Sequence, residues 1–188
     1  MAATAAIGVA LAQGALAASF SVSGQSFKVK AAQLDGTDFV QYGGVAPGPG
    51  GVSHPVVVSG FKTATITKMC QSVATKLPII NESVTLVLNA GGGKEKVSAT
   101  NLYLDVASLQ TDEATFGDME IGVPAGPLKK AGEKGDLSPY AFGQKAATAK
   151  LTNVRQTAWA TTAGSFTLPD LSLSLKVGDP KNNECYQD

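Results

Sequence analysis

The sequence contains few of the residues that catalytic and metal centres need. It has one histidine, two cysteines and one tryptophan in 188 residues. Cys70 and Cys185 lie too far apart for any zinc-binding spacing. No Gly-x-Ser-x-Gly motif is present, and Gly91-Gly-Gly lacks the downstream Lys-Ser or Lys-Thr on a helix that phosphate binding requires. His54 lies in a segment rich in glycine and proline, where a catalytic base would not be held near its nucleophile. We therefore expect no catalytic residue, metal site or cofactor.

An excess of charge of either sign is also missing. The 15 lysine and arginine residues balance the 15 aspartate and glutamate residues, and no long cluster of one sign occurs. The long-range field that gathers nucleic acid or an anionic membrane is therefore absent, and we expect no nucleic-acid partner. Five carboxylates are close enough in sequence to suggest a calcium site, but without EF-hand spacing a solvated face explains them better. They are Asp105, Asp112, Glu113, Asp118 and Glu120.

What the sequence does contain is typical of a β protein. It has 21 glycines, 9 prolines and many short runs in which apolar and polar residues alternate. Phe20 and Val22, and then Phe27 and Val29, follow the period of two that places alternate side chains on one face of a strand. Residues 43–55 and 124–140 are rich in glycine, proline or charge and are predicted to form two long loops. The sequence thus predicts an all-β protein.

Several segments of the first half recur in the second half. Residues 64–73 resemble 149–158, each followed by an alternating run at 83–88 and 170–175, and residues 28–34 resemble 96–102. We interpret residues 19–178 as one duplicated β domain with repeat units at 27–93 and 95–177. Coils of about 15 to 18 residues would suit a β-solenoid, which we favour over the alternative of a duplicated β-sandwich. In residues 66–69 and 151–154 the apolar positions are three apart, which predicts a corner or a bulge.

The two ends of the chain differ from this domain. Residues 2–18 are uncharged and apolar and end in Ala-Leu-Ala, so residues 1–18 are predicted to form an apolar helix that is an export signal or, alternatively, a membrane anchor. Both readings place the protein outside the cytoplasm, secreted or anchored, with membrane contact only through this segment. Residues 179–188 form a polar tail.

In an exported chain, two cysteines favour a disulfide between Cys70 and Cys185, which would tie the tail back to the first half. We also expect a structural core built around the second repeat. Its predicted members are Leu151, Val154, Trp159 and Phe166.

Four segments resemble a family of uncharacterised exported actinobacterial proteins, and the resemblance extends over nearly the whole chain. They are residues 13–20 (QGALAASF), 22–27 (VSGQSF), 151–161 (LTNVRQTAWAT) and 183–186 (NECY). Members of that family are often labelled cholesterol esterase, which implies a lipid-ester hydrolase but supplies no catalytic residues that can be placed here. The residues themselves favour a non-enzymatic exported or cell-envelope protein. Such a protein would bind an apolar ligand, such as a lipid, or a protein partner, or would self-associate through strand edges.

Overall fold

A computed structural model describes residues 24–77, 81–130 and 138–188. The ten strands are β1 (Phe27–Pro47), β2 (Ser53–Thr67), β3 (Met69–Leu77), β4 (Glu82–Ala90), β5 (Val97–Gln110), β6 (Glu113–Gly117), β7 (Glu120–Pro124), β8 (Phe142–Thr162), β9 (Ser165–Thr167) and β10 (Ser172–Val177). A one-turn helix, α1 (Pro180–Asn183), and two 3₁₀ turns complete the described elements. The all-β prediction is therefore confirmed. The predicted apolar helix at residues 1–18 lies outside the described residues.

All ten strands belong to one antiparallel sheet. The hydrogen-bonded order is β10-β4-β3-β1-β2-β5-β8-β6, with β7 also on β8 and β9 also on β5. The two longest strands, β1 and β8, also pair with each other, so the sheet curls until these two strands meet. The favoured β-solenoid is not supported, because stacked coils pair in parallel whereas each pairing described here is antiparallel. The alternative sandwich is not supported either, since the strands are joined in one sheet rather than in two.

The first predicted loop is much shorter than expected. Strand β1 continues to Pro47 and β2 begins at Ser53, so residues 43–47 pair with residues 53–57 and only the turn between them is irregular. Proline is tolerated here because β2 pairs with β5 only from Val57 onward, so the other edge of Pro55 needs no backbone donor. At Gly44 a Cβ atom would lie 2.6 Å from a methyl group of Val58, which explains why a residue without a side chain is needed.

The two predicted corners are present. Lys68 separates β2 from β3 with φ 51°, and Asn153 interrupts the regular geometry of β8 with φ 50°. Left-handed backbone at a non-glycine residue is uncommon, and in a strand it produces the local kink of a bulge. The two corners fall at matching places in the similar segments 64–73 and 149–158. The wider duplication, with units at 27–93 and 95–177, stays a prediction.

The main hydrophobic core lies inside the coiled part of the sheet. Leu151 and Val154 are both buried there, with 5% and 2% of their surface exposed. Trp159 is only partly buried and packs against a smaller cluster around Tyr42. Phe166 is 37% exposed, which corrects its assignment to the core. It lies on the three-residue strand β9, which among the described residues pairs only with β5.

Candidate functional site

Strands β3, β4 and β10 form a three-stranded outer part of the sheet with two different faces. The register places Leu175 opposite Leu86 and Leu86 opposite Val73. Directly opposed residues in an antiparallel sheet point to the same side, and successive residues alternate between sides. One side of this three-stranded part therefore presents leucine and valine, while Ser72, Val87 and Ser174 lie on the other side.

The C-terminal tail covers the part of the serine-bearing side that β3 and β4 form, whereas β10 stays exposed. Cys70 on β3 and Cys185 form the predicted disulfide, with their Cα atoms 5.8 Å apart. The backbone amide of Cys185 donates a hydrogen bond to the hydroxyl oxygen of Ser72 at 3.0 Å. Ser72, Thr85 and Val87 are buried. The polar tail is therefore an ordered cover for this face, as the proposed covalent tie predicts.

Lys28 fixes the end of the tail. Its ammonium lies 3.0 Å from a carboxylate oxygen of Glu184 and 2.9 Å from one of Asp188, and it donates to the carbonyl of Tyr186 at 3.4 Å. The hydroxyl groups of Tyr186 and Thr157 are hydrogen-bonded at 3.0 Å. Burial lowers the pKa of Lys28, but the hydrogen bonds from its ammonium to Asp188 and Glu184 outweigh burial, so its pKa is raised.

The opposite side of β4 and β10 is apolar, and although Val84 and Ala90 on this side are buried, Leu86 and the β10 residues on it are exposed. We call it the leucine face, formed by Leu86, Leu171, Leu173, Leu175 and Val177. Their exposed fractions are 39%, 54%, 61%, 66% and 64%. Single exposed apolar residues are ordinary, but a contiguous set on one sheet face marks an interaction surface. This face is the candidate functional site.

The leucine face also carries little charge. The only ionisable side chain that the register places on this side of β3, β4 and β10 is Glu82, opposite Leu77 at the far end of the β3–β4 pairing. Lys76 and Lys176 alternate to the other side of their strands. The face is therefore suited to an uncharged apolar surface rather than to an anionic head group.

Two narrow cavities among the described core residues are too small for a ligand. Their volumes are about 30 Å³ and about 40 Å³, and both are lined by Leu34, Leu104, Val154 and Gln156 among others. Ligand pockets are usually roughly 300–1,000 Å³. These two cavities could hold no more than a water-sized molecule, so they are not sites for an acyl chain or a sterol.

His54 lies on a strand rather than in the loop that was predicted for it. Its imidazole stacks on the indole of Trp159, with ring centroids 3.7 Å apart and planes 10° from parallel. A Cβ atom on Gly48 would lie 2.4 Å from Nε2 of His54, so the turn backbone closes over the other part of the ring. The stack gives His54 a packing role that its sequence neighbours did not indicate.

The carboxylates considered for a calcium site do not form one cluster. Asp112 accepts a hydrogen bond from Asn153 at 2.7 Å and lies 3.8 Å from Arg155, while Glu120 lies 3.0 Å from Lys145. Among the described residues, no group of three or more potential metal ligands lies close enough to hold an ion. In the same part of the chain, no helix is long and apolar enough to cross a membrane.

Sequence reasoning missed the leucine face although it recognised the strand. The alternation of leucine with serine in residues 170–175 correctly indicates one apolar side, but an alternating pattern does not show whether another element covers that side. The available signal was position, because the strand precedes a short polar tail with too few apolar residues to cover both faces.

One family matches nearly all of the chain. Residues 23–186 match DUF6230, which is described as a family of unknown function. No curated protein and no solved structure matches the chain. The function is therefore inferred from the sequence and structure of this chain alone.

Proposed function

Since the chain belongs to DUF6230, a family of unknown function, we propose from its own surface that it is a non-enzymatic exported protein that binds an apolar ligand or partner. The observation that supports this proposal is the leucine face. Four large apolar side chains are exposed on one side of two paired strands, with Leu171 beside them, and the tail binds on the opposite side, over β3 and β4. Burying such a face would contribute about 25 cal/mol per Å² of apolar surface.

The disulfide supports the proposed location. Cys70 and Cys185 are paired, and disulfides persist in oxidising compartments outside the cytoplasm. We propose that residues 1–18 direct export and are then removed or remain as an anchor. N-terminal sequencing of the protein recovered from the cell exterior tests this. A cytoplasmic product that retains Met1 and two free thiols would contradict it.

The chemistry of the leucine face restricts the ligand. Neither lysine nor arginine points to this side of β10, so the face offers no counter-charge to a phosphate or a carboxylate. The narrow core cavities are too small to enclose an acyl chain. We therefore propose that an uncharged apolar group lies across the surface of the sheet.

A fluorescence titration tests the site. The exported, disulfide-bonded protein is titrated with Nile red, a neutral dye whose emission rises in apolar surroundings. We expect the wild type to enhance the dye emission in a saturable way. The Leu173→Ser/Leu175→Ser variant should bind the dye at least about fivefold more weakly, because it removes two apolar side chains from the face. Equal binding by the wild type and this variant would refute the proposed site.

A matched control removes similar apolar area elsewhere. Val45 and Val52 are each 56% exposed near the turn between β1 and β2, away from the leucine face. Val45→Ser/Val52→Ser should retain wild-type dye binding. If both double variants lose binding equally, the dye reports general surface hydrophobicity and the leucine face has no special role.

The alternative function, a lipid-ester hydrolase, gives an outcome that would overturn the non-enzymatic proposal. Wild type and Ser53→Ala/His54→Ala are compared with a chromogenic fatty-acyl ester. We expect no turnover above buffer for either protein. Turnover by the wild type that the double variant loses would instead establish a lipid-ester hydrolase.

A further inference from the structure

We infer that a second copy of this chain pairs with the outer edge of β10 in antiparallel orientation, with the two-fold axis at Leu173. The inference goes beyond the proposed function because it uses backbone groups of β10, whereas ligand binding uses the side chains of the leucine face. The two surfaces can therefore be tested separately.

The outer edge of β10 has unpaired backbone groups. Among the described residues, β10 ends the sheet order and pairs only with β4. The Gly178 amide donates to the Ser83 carbonyl at 2.9 Å, which continues the β10–β4 register by one residue. Hydrogen-bonded pairs alternate with non-hydrogen-bonded pairs in an antiparallel ladder. Leu173, Leu175 and Val177 therefore direct their N–H and C=O groups away from β4.

These outward groups are free to pair with another extended strand. Natural sheet edges are usually protected by charged side chains such as lysine, by proline, by a bulge, by short length or by a covering segment. Within β10, Ser172–Val177, Lys176 is the one charged side chain, neither proline nor a bulge occurs, and all six residues are exposed. An edge that carries only one charged side chain can still serve as a template for strand addition.

The charges beside β10 favour a second copy and fix the register. Asp170 and Lys176 are both exposed and flank Leu173 at equal distances of three residues. Antiparallel pairing about Leu173 therefore pairs residues 172–174 directly and brings the two residues just before β10, Leu171 and the turn residue Asp170, near Leu175 and Lys176 of the other copy. Opposite charges and apolar pairs directly across strands each contribute roughly 0.2–1 kcal/mol. A register centred on Leu175 would instead place Leu171 opposite Asp179 and Lys176 opposite Ser174.

The pairing would also join the two leucine faces. Opposed residues in an antiparallel pair point to the same side, so Leu171, Leu173 and Leu175 of both copies lie on one continuous surface. A two-fold symmetric contact of this kind closes on itself and gives a dimer rather than a fibre. The dimer would therefore offer a ligand twice the apolar area of one chain.

Sedimentation equilibrium of the exported, disulfide-bonded protein tests the inference. We expect a dimer with a Kd on the order of 10 µM, because a short strand pairing buries little surface. Leu173→Pro removes one outward N–H without removing a hydrogen bond to β4 and should weaken dimerisation at least about tenfold. Leu173→Val keeps the N–H and should dimerise as the wild type does. A monomeric wild type at about 100 µM, or a Leu173→Pro variant with unchanged Kd, would overturn the inference.

Charge reversal tests the register. Lys176→Glu places like charges opposite Asp170 at two symmetric points and should weaken the dimer by about tenfold. Adding Asp170→Lys to that variant should restore dimerisation. Asp170 has φ 53°, and Lys68 already adopts φ 51° in this chain, so lysine is compatible with that backbone. A dimer unaffected by Lys176→Glu would overturn the proposed pairing.

The outcomes separate this inference from the proposed function. If the wild type is monomeric but binds Nile red in a Leu173/Leu175-dependent manner, the dimer is wrong and the ligand surface stands. If the dimer forms and responds to both substitutions but no variant alters dye binding, the dimer stands and the ligand surface is wrong.

Discussion

Cys70 on β3 and Cys185 in the tail are joined by a disulfide across a sequence separation of 115 residues. Because a loop this long loses much conformational freedom in the crosslinked unfolded chain, the bond could stabilise the fold by up to about 4 to 5 kcal/mol. We predict a loss approaching this value for Cys70→Ser/Cys185→Ser, measured by urea unfolding. The double variant avoids a reactive free thiol. An unchanged free energy of unfolding would show that the tail contributes nothing to the stability of the sheet.

The Lys28 ion cluster predicts a dependence of stability on pH. The pKa of Lys28 is raised above its ordinary value of 10.5, so folding favours the protonated ammonium. Its stabilisation is fully present below the unfolded pKa and is lost as pH rises through the folded pKa. The difference in unfolding free energy between wild type and Lys28→Met should be about 1–2 kcal/mol near neutral pH. This difference should decline above pH 10.5.

An exposed ion pair between β1 and β2 provides a control for Lys28. The Lys62 ammonium lies 3.7 Å from an oxygen of Asp38, and both side chains are well exposed. Exposed ion pairs contribute about 0–1 kcal/mol. Lys62→Met should therefore change stability by less than Lys28→Met does. If the two variants behave alike at every pH, the Lys28 cluster has no special effect.

The sequence predicts strands and corners well because these depend on local patterns. Val29 and Leu151 follow the alternating pattern and are buried. The apolar spacing around Lys68 and Asn153 breaks that pattern, and both residues adopt left-handed backbone. Local side-chain alternation and local backbone geometry can be inferred from neighbours in sequence.

The architecture could not be predicted in the same way. A repeated strand and turn is compatible with parallel stacking or antiparallel pairing, because the choice depends on contacts between distant segments. Strand β1 pairs with β8 in the register Lys28 to Thr157, more than 100 positions away. The exposure of Phe166 could not be predicted either, because it depends on where β9 lies in the sheet, and that position is set by its pairing with the distant strand β5.

The candidate site was only half predictable. Composition predicted a surface with few charged residues and an apolar ligand or partner, and the two cysteines predicted the disulfide. The leucine face depends on the tail covering one side of β4 and leaving the other side open. That asymmetry comes from the attachment of Cys185 to Cys70 and from Lys28, and residues 171–177 alone do not encode it.

A comparison of Leu151 and Phe166 tests the corrected core. Leu151 is buried in the main core, so Leu151→Ala should cost about 2–5 kcal/mol. Phe166 is partly exposed on β9, so Phe166→Ala should cost less, about 1 kcal/mol. Thermal and urea unfolding measure both variants against wild type. A larger loss for Phe166→Ala would restore its predicted role as a core anchor.

The stack of His54 on Trp159 gives a spectroscopic prediction, because this is the only tryptophan in the chain. His54→Ala should expose one face of the indole to water and shift its emission to longer wavelength. Trp159 is partly buried, so Trp159→Ala should cost about 2–3 kcal/mol, less than a fully buried tryptophan would. His54→Phe keeps a ring over the indole and should preserve the wild-type emission. If His54→Ala leaves the emission spectrum unchanged, the imidazole does not shield the indole and the stack is not maintained in solution.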